Sequence, residues 1–98
     1  MNEKMFLGGL GNTLSILRQD KGFSQTALAE ALGVSQYYIS KLEQGRVAAP
    51  RLSVLAAAAE ALGVPLWRLF FLAELRGRNL NANDPDVVNA ELTRDWMD

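Results

Sequence analysis

The segment from Ser24 to Gly45 constrains the fold more than any other part of the chain. It contains two short stretches with apolar residues at helical spacing, and each follows a serine suited to cap a helix N-terminus, Ser24 and Ser35. Gly33 lies between them and can adopt the positive φ that ends a helix. The sequence therefore predicts two short helices joined by a tight turn.

The second of these predicted helices has an apolar inner face and a polar outer face. Ile39 and Leu42 recur at the spacing of one buried face, and Gly45 ends the helix. The side chains left to point outward are those of Gln36, Tyr37, Ser40, Lys41 and Gln44. A short helix, a glycine turn and a second helix with a polar outer face form the geometry that places side chains in a DNA major groove.

Composition excludes several classes of protein. A chain of 98 residues with 49% apolar residues fits one globular domain. The absence of cysteine and histidine removes disulfides, most zinc sites and the common nucleophile–base pairs, so no metal, no cofactor and no enzymatic activity are expected. No separate sensor domain is visible, and no small-molecule effector is indicated.

No membrane span and no signal peptide are expected from the sequence. Apolar stretches such as that from Leu69 to Ala73 are too short to cross a bilayer. The N-terminal residues lack the apolar core and the small-residue cleavage site of a signal peptide. These features favour a cytoplasmic protein.

The charge is unevenly distributed along the chain. Residues 1–78 contain nine basic and six acidic side chains, a net charge of +3, whereas residues 79–98 contain one basic and five acidic ones, a net charge of −4. The whole chain has a formal net charge of −1. A mildly basic body is compatible with nucleic-acid binding, but it rules out a protein that binds DNA by bulk charge alone.

Three further helices complete a predicted all-α body. The first helix is expected over residues 12–21, with Asn12 or Thr13 as its cap. The fourth is expected over residues 51–62, and the fifth begins with Pro65 at its first helical position. No segment alternates with a period of two, so no strand is expected.

The glycines before the first predicted helix allow two interpretations. Gly8, Gly9 and Gly11 suggest a phosphate-binding loop, but the Lys-Ser/Thr pair that completes such a loop is missing. Residues 1–9 are therefore expected to form a flexible N-terminal arm. The five-helix DNA-binding domain is expected to span residues 10–78.

Residues 79–98 are expected to form a polar linker and an acidic sixth helix. Asp84 and Pro85 have the order of an N-cap and a first helical residue, which places the helix at residues 85–96. Its apolar residues fall four apart: Val88, Leu92 and Trp96. The helix either packs Trp96 on the body, presents its apolar stripe to a partner protein or a second subunit, or frays.

The pattern of residues in the body resembles the XRE-type, or lambda-repressor-like, helix-turn-helix family. The resemblance covers about residues 10–70 and rests on many positions at family spacing. These are Arg18, Gly22, Ser24, Gln25, Leu28, Ala29, Gly33, Val34, Ser35, Ile39, Ser40, Glu43, Gly45, Pro50, Leu55, Ala61, Leu62, Gly63 and Val64. It implies a lambda-repressor-like five-helix domain that binds double-stranded DNA.

The resemblance also implies a role for each polar position. The base-contacting residues would be Gln36, Tyr37 and Lys41. The phosphate-contacting residues would be Gln25, Ser35, Gln44, Arg46 and Arg51, and Gln25 would also brace the recognition helix. An ion pair between Arg18 and Glu43 would tie the first helix to the third. The chain departs from the family in the uncharged loop Val47-Ala48-Ala49 and in the apolar Leu14 and Leu17.

The function that follows is sequence-specific binding to a two-fold operator by a homodimeric transcriptional regulator. One recognition helix reads too few base pairs for a useful site, so two subunits are expected. The candidates for the dimer surface are Trp67, Phe71, Leu72, Leu75, Leu92 and Trp96, although an apolar fifth helix can also be plain core. The alternative is an antitoxin or antirepressor-controlled module whose acidic C-terminal segment binds a partner protein.

Overall fold

The computed structural model describes residues 2–94, and over that range all regular secondary structure is helical. Six helices follow one another in chain order: α1 (Glu3–Asp20), α2 (Gln25–Leu32), α3 (Gln36–Glu43), α4 (Leu52–Leu62), α5 (Leu66–Gly77) and α6 (Pro85–Leu92). The predicted all-α, lambda-repressor-like class is confirmed, and no strand occurs within residues 2–94.

Helix α1 begins much earlier than the sequence predicts. It starts at Glu3 rather than near Asn12, and the Asn2 side chain caps it by accepting a hydrogen bond from Met5 N at 2.8 Å. The expectation that Gly8, Gly9 and Gly11 belong to a flexible arm is therefore wrong.

Close helix packing explains why glycines stand in α1. Gly9 is buried, and a Cβ placed on it would collide with the carbonyl oxygen of Ala73 and lie 2.5 Å from Gly77 N in α5. A Cβ on Gly11 would lie 2.5 Å from the carbonyl oxygen of Glu43 at the end of α3. The glycines thus let the α1 backbone approach both α5 and α3, and this tertiary packing overrides their low helix propensity.

This packing predicts opposite effects for alanine at two adjacent glycines. Gly9→Ala should lower the free energy of unfolding by about 1–3 kcal/mol, because the methyl group meets backbone that cannot move alone. Gly8→Ala should raise it by about 0.5–1 kcal/mol, since nothing lies within 4 Å of the added Cβ. Chemical denaturation of the two variants measures both changes, and equal effects at both sites would contradict the packing account.

A single hydrophobic core lies among the first five helices. Helix α5 packs most extensively on α1 and also contacts α4, while α2 packs on α3 and α4. Gly63 ends α4 in the left-handed conformation with φ 74°. The buried core cluster consists of Leu10, Leu14, Leu28, Ala29, Ile39, Leu42, Leu55, Ala58, Ala59, Leu62, Leu69 and Ala73.

Helix α5 divides the candidate dimer residues into two groups. Leu72 and Leu75 are buried within the chain itself, 9% and 0% exposed, so the expectation that they face a second subunit is wrong. Trp67 is 55% exposed, and its ring centroid lies 6.3 Å from that of the half-buried Phe71. Helical periodicity predicts more apolar residues on α5 than one core face can hold. It does not show which of them are buried in the core and which are exposed.

Helix α6 is attached to the body by few contacts. Asp84 caps it by accepting from Asp86 N at 2.9 Å, as the sequence predicts, but the helix ends at Leu92 instead of near Trp96. None of its residues is buried, and a pair between Arg78 and Glu91 at 3.2 Å connects it to the end of α5. The predicted contact of Trp96 lies outside the described residues.

Between residues 2 and 94, no single helix has the length and hydropathy that a bilayer span needs. The pair α4 and α5 together reaches both, by length and composition only, but the two helices are bent by 97° at the break between them.

Candidate nucleic-acid interface

Helices α2 and α3 form the helix-turn-helix unit. Ser24 Oγ accepts from Ala27 N at 3.0 Å, and Ser35 Oγ accepts from Tyr38 N at 3.0 Å, so each helix begins at the serine cap that the sequence predicts. Gly33 ends α2 at φ 71°, a conformation that costs little without a Cβ. Three residues, Gly33, Val34 and Ser35, therefore suffice to turn the chain from α2 into α3.

The two faces of α3 differ as the sequence predicts. Ile39 and Leu42 are 1% and 3% exposed and fix the inner face in the core. On the outer face Gln36 is exposed and Tyr37 is 70% exposed. The ammonium of Lys41 lies 5.5 Å from the centroid of the Tyr37 ring, close enough for a cation–π contact that orients both side chains.

A hydrogen-bonded chain of side chains holds the outer face of α3 to α2. Gln36 Nε2 donates to Gln25 Oε1 at 2.7 Å, and Gln25 Nε2 donates to Glu43 Oε1 at 3.0 Å. Because a carboxylate can only accept, Glu43 fixes which way the Gln25 amide points, and that amide in turn orients Gln36. Gln25 thus braces the first turn of α3 against its last residue.

The same carboxylate anchors this chain of hydrogen bonds to α1. Arg18 Nε donates to Glu43 Oε2 at 2.6 Å and Arg18 Nη2 donates to Glu43 Oε1 at 3.1 Å, which is a two-point contact. Arg18 Nη1 also donates to the carbonyl oxygen of Phe23 at 2.8 Å. The two charged side chains are only 12% and 7% exposed, so the pair is screened from solvent.

The C-terminal end of α3 arranges a second set of polar groups. Gln44 Nε2 donates to Ser40 Oγ at 2.9 Å, and Gln44 Oε1 accepts from Arg46 Nη1 at 3.1 Å. Arg46 and Arg51 are both exposed and flank the uncharged loop between α3 and α4. The structure therefore gives Gln44 a positioning contact with Arg46, which the sequence did not indicate.

The early start of α1 adds a basic side chain next to this loop. The first turn of α1 and the loop after α3 line one open cleft of about 530 Å³, which brings Lys4 to the same cleft as Arg46. Sequence reasoning missed Lys4, because it placed residues 1–9 in an arm outside the fold. The only available signal was Asn2, a residue suited to cap a helix.

Within residues 2–94, no group of three or more acidic side chains has the spacing of a metal site. With neither histidine nor cysteine in the chain, the polar side chains on the outer face of α3 are amides, hydroxyls and a cation, because the Glu43 carboxylate is turned inward to Arg18 and Gln25. These groups suit hydrogen bonding to base edges and phosphates.

Known proteins match both the sequence and the fold. A family model described as a helix-turn-helix domain matches residues 10–67. A crystal structure of the clp gene regulator ClgR from Corynebacterium glutamicum is 30% identical over 95% of this chain and 98% of that one, with a TM-score of 0.73. A second ClgR structure is 36% identical over 70% of this chain and 87% of that one, with a TM-score of 0.66.

Two further solved structures extend the comparison. The restriction-modification controller protein C.AhdI from Aeromonas hydrophila is 32% identical over 64% of this chain and 94% of that one, with a TM-score of 0.60. One chain of a SinR protein/SinI protein complex is 25% identical over 86% of this chain and 79% of that one, with a TM-score of 0.63. No curated protein matches the sequence. The matching ClgR and C.AhdI structures are those of regulators, not enzymes.

Proposed function

The chain belongs to the XRE-type helix-turn-helix family of DNA-binding transcriptional regulators, and from that premise we propose that it binds a two-fold operator as a homodimer. In this proposal α3 of each subunit enters the major groove, and the protein acts in the cytoplasm. The observation that carries the proposal is the exposed polar face of α3, held by hydrogen bonds to α2 and through Glu43 to α1.

The contact between Gln36 and Gln25 suits the reading of an adenine. The Gln36 amide has two N–H groups, and Gln25 takes one of them. The second N–H and the Oε1 atom are left for N7 and N6 of an adenine, which is the bidentate pairing of glutamine with that base. Tyr37 and Lys41 lie on the same outer face. Tyr37 is expected to contact a thymine methyl group or a sugar, and Lys41 is expected to contact a guanine.

Phosphate contacts follow from the donors that remain free around α3. The Ser35 hydroxyl accepts a hydrogen bond as the cap of α3 and still has its own O–H to donate, next to the amides of the first turn. Gln25 has one N–H left, and Gln44 holds Arg46 in place. Arg46 and Arg51, which flank the loop between α3 and α4, are the residues proposed to form ion pairs with DNA phosphates.

Removal of the Gln36 amide should relax sequence preference. On a duplex obtained by selection, Gln36→Ala is expected to lose about 1–3 kcal/mol of binding free energy, mostly at one base position of each half-site. Competition binding with the selected and a scrambled duplex measures the loss. Gln19→Ala is the control, since the side chain of that exposed glutamine donates to Ser15 within α1. If Gln36→Ala keeps the wild-type ratio of the two affinities, the base-reading role is wrong.

The proposed dimer surface combines α5 and α6. Trp67 and Leu92 are 55% and 44% exposed, and Phe71 lies beside Trp67. Leu92 and Val88 also line a groove of about 320 Å³ together with Arg68 of α5, so the apolar residues of α6 border the same side of α5 as that arginine. A second subunit would cover this apolar surface, and the acidic α6 would keep away from DNA phosphates.

This surface predicts a strong effect of Trp67 on self-association. Trp67→Ala should weaken the dimer by about 2 kcal/mol, roughly thirtyfold in dissociation constant, because exposed tryptophans at the centre of an interface contribute most to binding. Leu52→Ala is the matched control, since Leu52 is 62% exposed on α4. Sedimentation equilibrium compares the three proteins. A dimer that weakens equally in both variants, or in neither, would rule out this surface.

A second candidate function places a partner protein on α6. The observation that favours it is the absence of any buried residue in this acidic helix. Deletion of residues 79–98 separates the two proposals. A weaker dimer with unchanged base preference supports self-association, whereas an unchanged dimer leaves α6 as the docking site of an antitoxin-type or antirepressor-controlled module.

A further inference from the structure

A partly open cavity with both polar and apolar walls lies beside α1. It has a volume of about 170 Å³, and its walls come from α1, α5 and the linker that leads to α6. The residues that carry its chemistry are Thr13, Asp20, Arg68, Arg76 and Asn83. Thr13, Asp20 and Arg76 lie outside the proposed DNA-binding and dimer surfaces, whereas Arg68 and Asn83 also line the groove beside α6.

The cavity contains a buried hydroxyl without a partner. Thr13 is 1% exposed, and its Oγ1 atom makes no hydrogen bond within residues 2–94. Buried polar groups nearly always have a partner, because leaving one unpaired costs its full desolvation energy. A hydroxyl that lines a cavity and lacks a partner indicates that a ligand group or a water completes the site.

Two arginines face the same cavity with donors to spare. Arg76 Nε is buried and has no acceptor, although its Nη2 atom donates to Asn83 Oδ1 at 3.2 Å. Arg68 forms no ion pair and no side-chain hydrogen bond with another residue in the range 2–94. Asp20 is the one acidic residue in the lining, so the walls carry a net positive charge. Guanidinium groups only donate, so the complement of this site is a negatively charged acceptor.

We propose that this cavity binds a small oxyanion, a phosphate or a carboxylate group. The guanidinium of Arg76 and the hydroxyl of Thr13 donate to its oxygens, and Arg68 supplies the second positive charge. A cavity of this volume exceeds the space of one water and resembles those that hold a ligand of about six non-hydrogen atoms. Because Ala82 and Asn83 of the linker form one wall, the bound anion also fixes the linker next to α5.

The site is independent of the proposed DNA contacts, and NMR can separate the two. Sodium phosphate and sodium acetate are each titrated into the ¹⁵N-labelled full chain, at an ionic strength held constant with sodium chloride. We expect the amide signals of Thr13, Arg76 and Asn83 to shift with at least one of the two anions. The anion that acts identifies the source of the oxyanion. Shifts confined to α3, Arg46 and Arg51, equal shifts with sodium chloride, or none at all would overturn the proposal.

Two variants and one control test the residues themselves. Thr13→Val and Arg76→Gln should each weaken anion binding about tenfold or more, whereas Arg51→Gln should bind as the wild type does. Thr13→Val should also melt no lower than the wild type, because its hydroxyl has no partner in the anion-free chain. A Thr13→Val protein that keeps full anion affinity, or an Arg51→Gln protein that loses as much as Arg76→Gln, would contradict the assignment.

Discussion

Replacement of Glu43 with alanine is expected to lower the free energy of unfolding by about 3 kcal/mol or more. The reason is that Arg18, whose side chain is 12% exposed, would keep its charge and lose the carboxylate that pairs with it. Gln25 would lose its acceptor as well, and Gln36 would lose the support that orients it. The variant should therefore bind its operator more weakly even under conditions in which it remains folded.

Chemical denaturation measures the loss of stability, and a double-mutant cycle with Arg18→Ala assigns it. Glu30→Ala is the control, because Glu30 is exposed on α2 and the change should stay within about 0.5 kcal/mol. The double variant should be less destabilised than the sum of the two single ones, since neither charge is then left unpaired. Additive effects of Arg18→Ala and Glu43→Ala would mean that the pair contributes no coupling.

The second large effect is a steep salt dependence of DNA binding. Arg46 and Arg51 are the proposed phosphate contacts of each subunit, and Lys41 adds a third positive charge in the groove, so a dimer that uses four to six of these charges should show a slope of log K against log salt near −4 to −5. Between 50 and 200 mM salt the affinity should then fall by roughly three-hundred- to a thousandfold. The fall arises because each phosphate that the protein neutralises releases bound counterions into solution. This release becomes less favourable as the salt concentration rises.

Charge variants assign that slope to particular side chains. Arg51→Gln should make the slope shallower by about 2, one contact for each subunit, without changing which sequence is preferred. Arg78→Gln should leave the slope unchanged, since that guanidinium is paired with Glu91 of α6. Filter-binding or anisotropy titrations at several salt concentrations give the slopes, and a wild-type slope near zero would exclude DNA as the ligand.

Local chemistry was sufficient to predict the helix-turn-helix unit. The two serine caps, the positive φ of Gly33 and the buried face of α3 depend on residues within a few positions of one another, and the structure has all of them. Helix caps and apolar spacing are short-range signals, so they can be recognised in one sequence. The same holds for the Asp84 cap of α6.

Features that depend on distant packing were missed or predicted wrongly. The sequence predicts a flexible position at Gly9, whereas in the structure Gly9 packs closely against α5. It predicts an exposed position at Leu75, whereas in the structure Leu75 is buried in the core. The hydrogen bond from Gln25 to Glu43 joins residues 18 positions apart. In the sequence Thr13 is a candidate helix cap, and nothing in its neighbourhood along the chain indicates a cavity.

The measurement that tests the central proposal most directly is selection of duplexes from a randomised pool by the full chain, followed by footprinting of the enriched sequences. A dimer that reads DNA through α3 should enrich two related half-sites arranged as an inverted repeat, with centres one helical turn or about 10–10.5 base pairs apart. The selected duplex should bind at least about a thousandfold more tightly than a scrambled one at physiological salt. A pool that shows no enriched sequence after repeated rounds would contradict sequence-specific recognition by this protein.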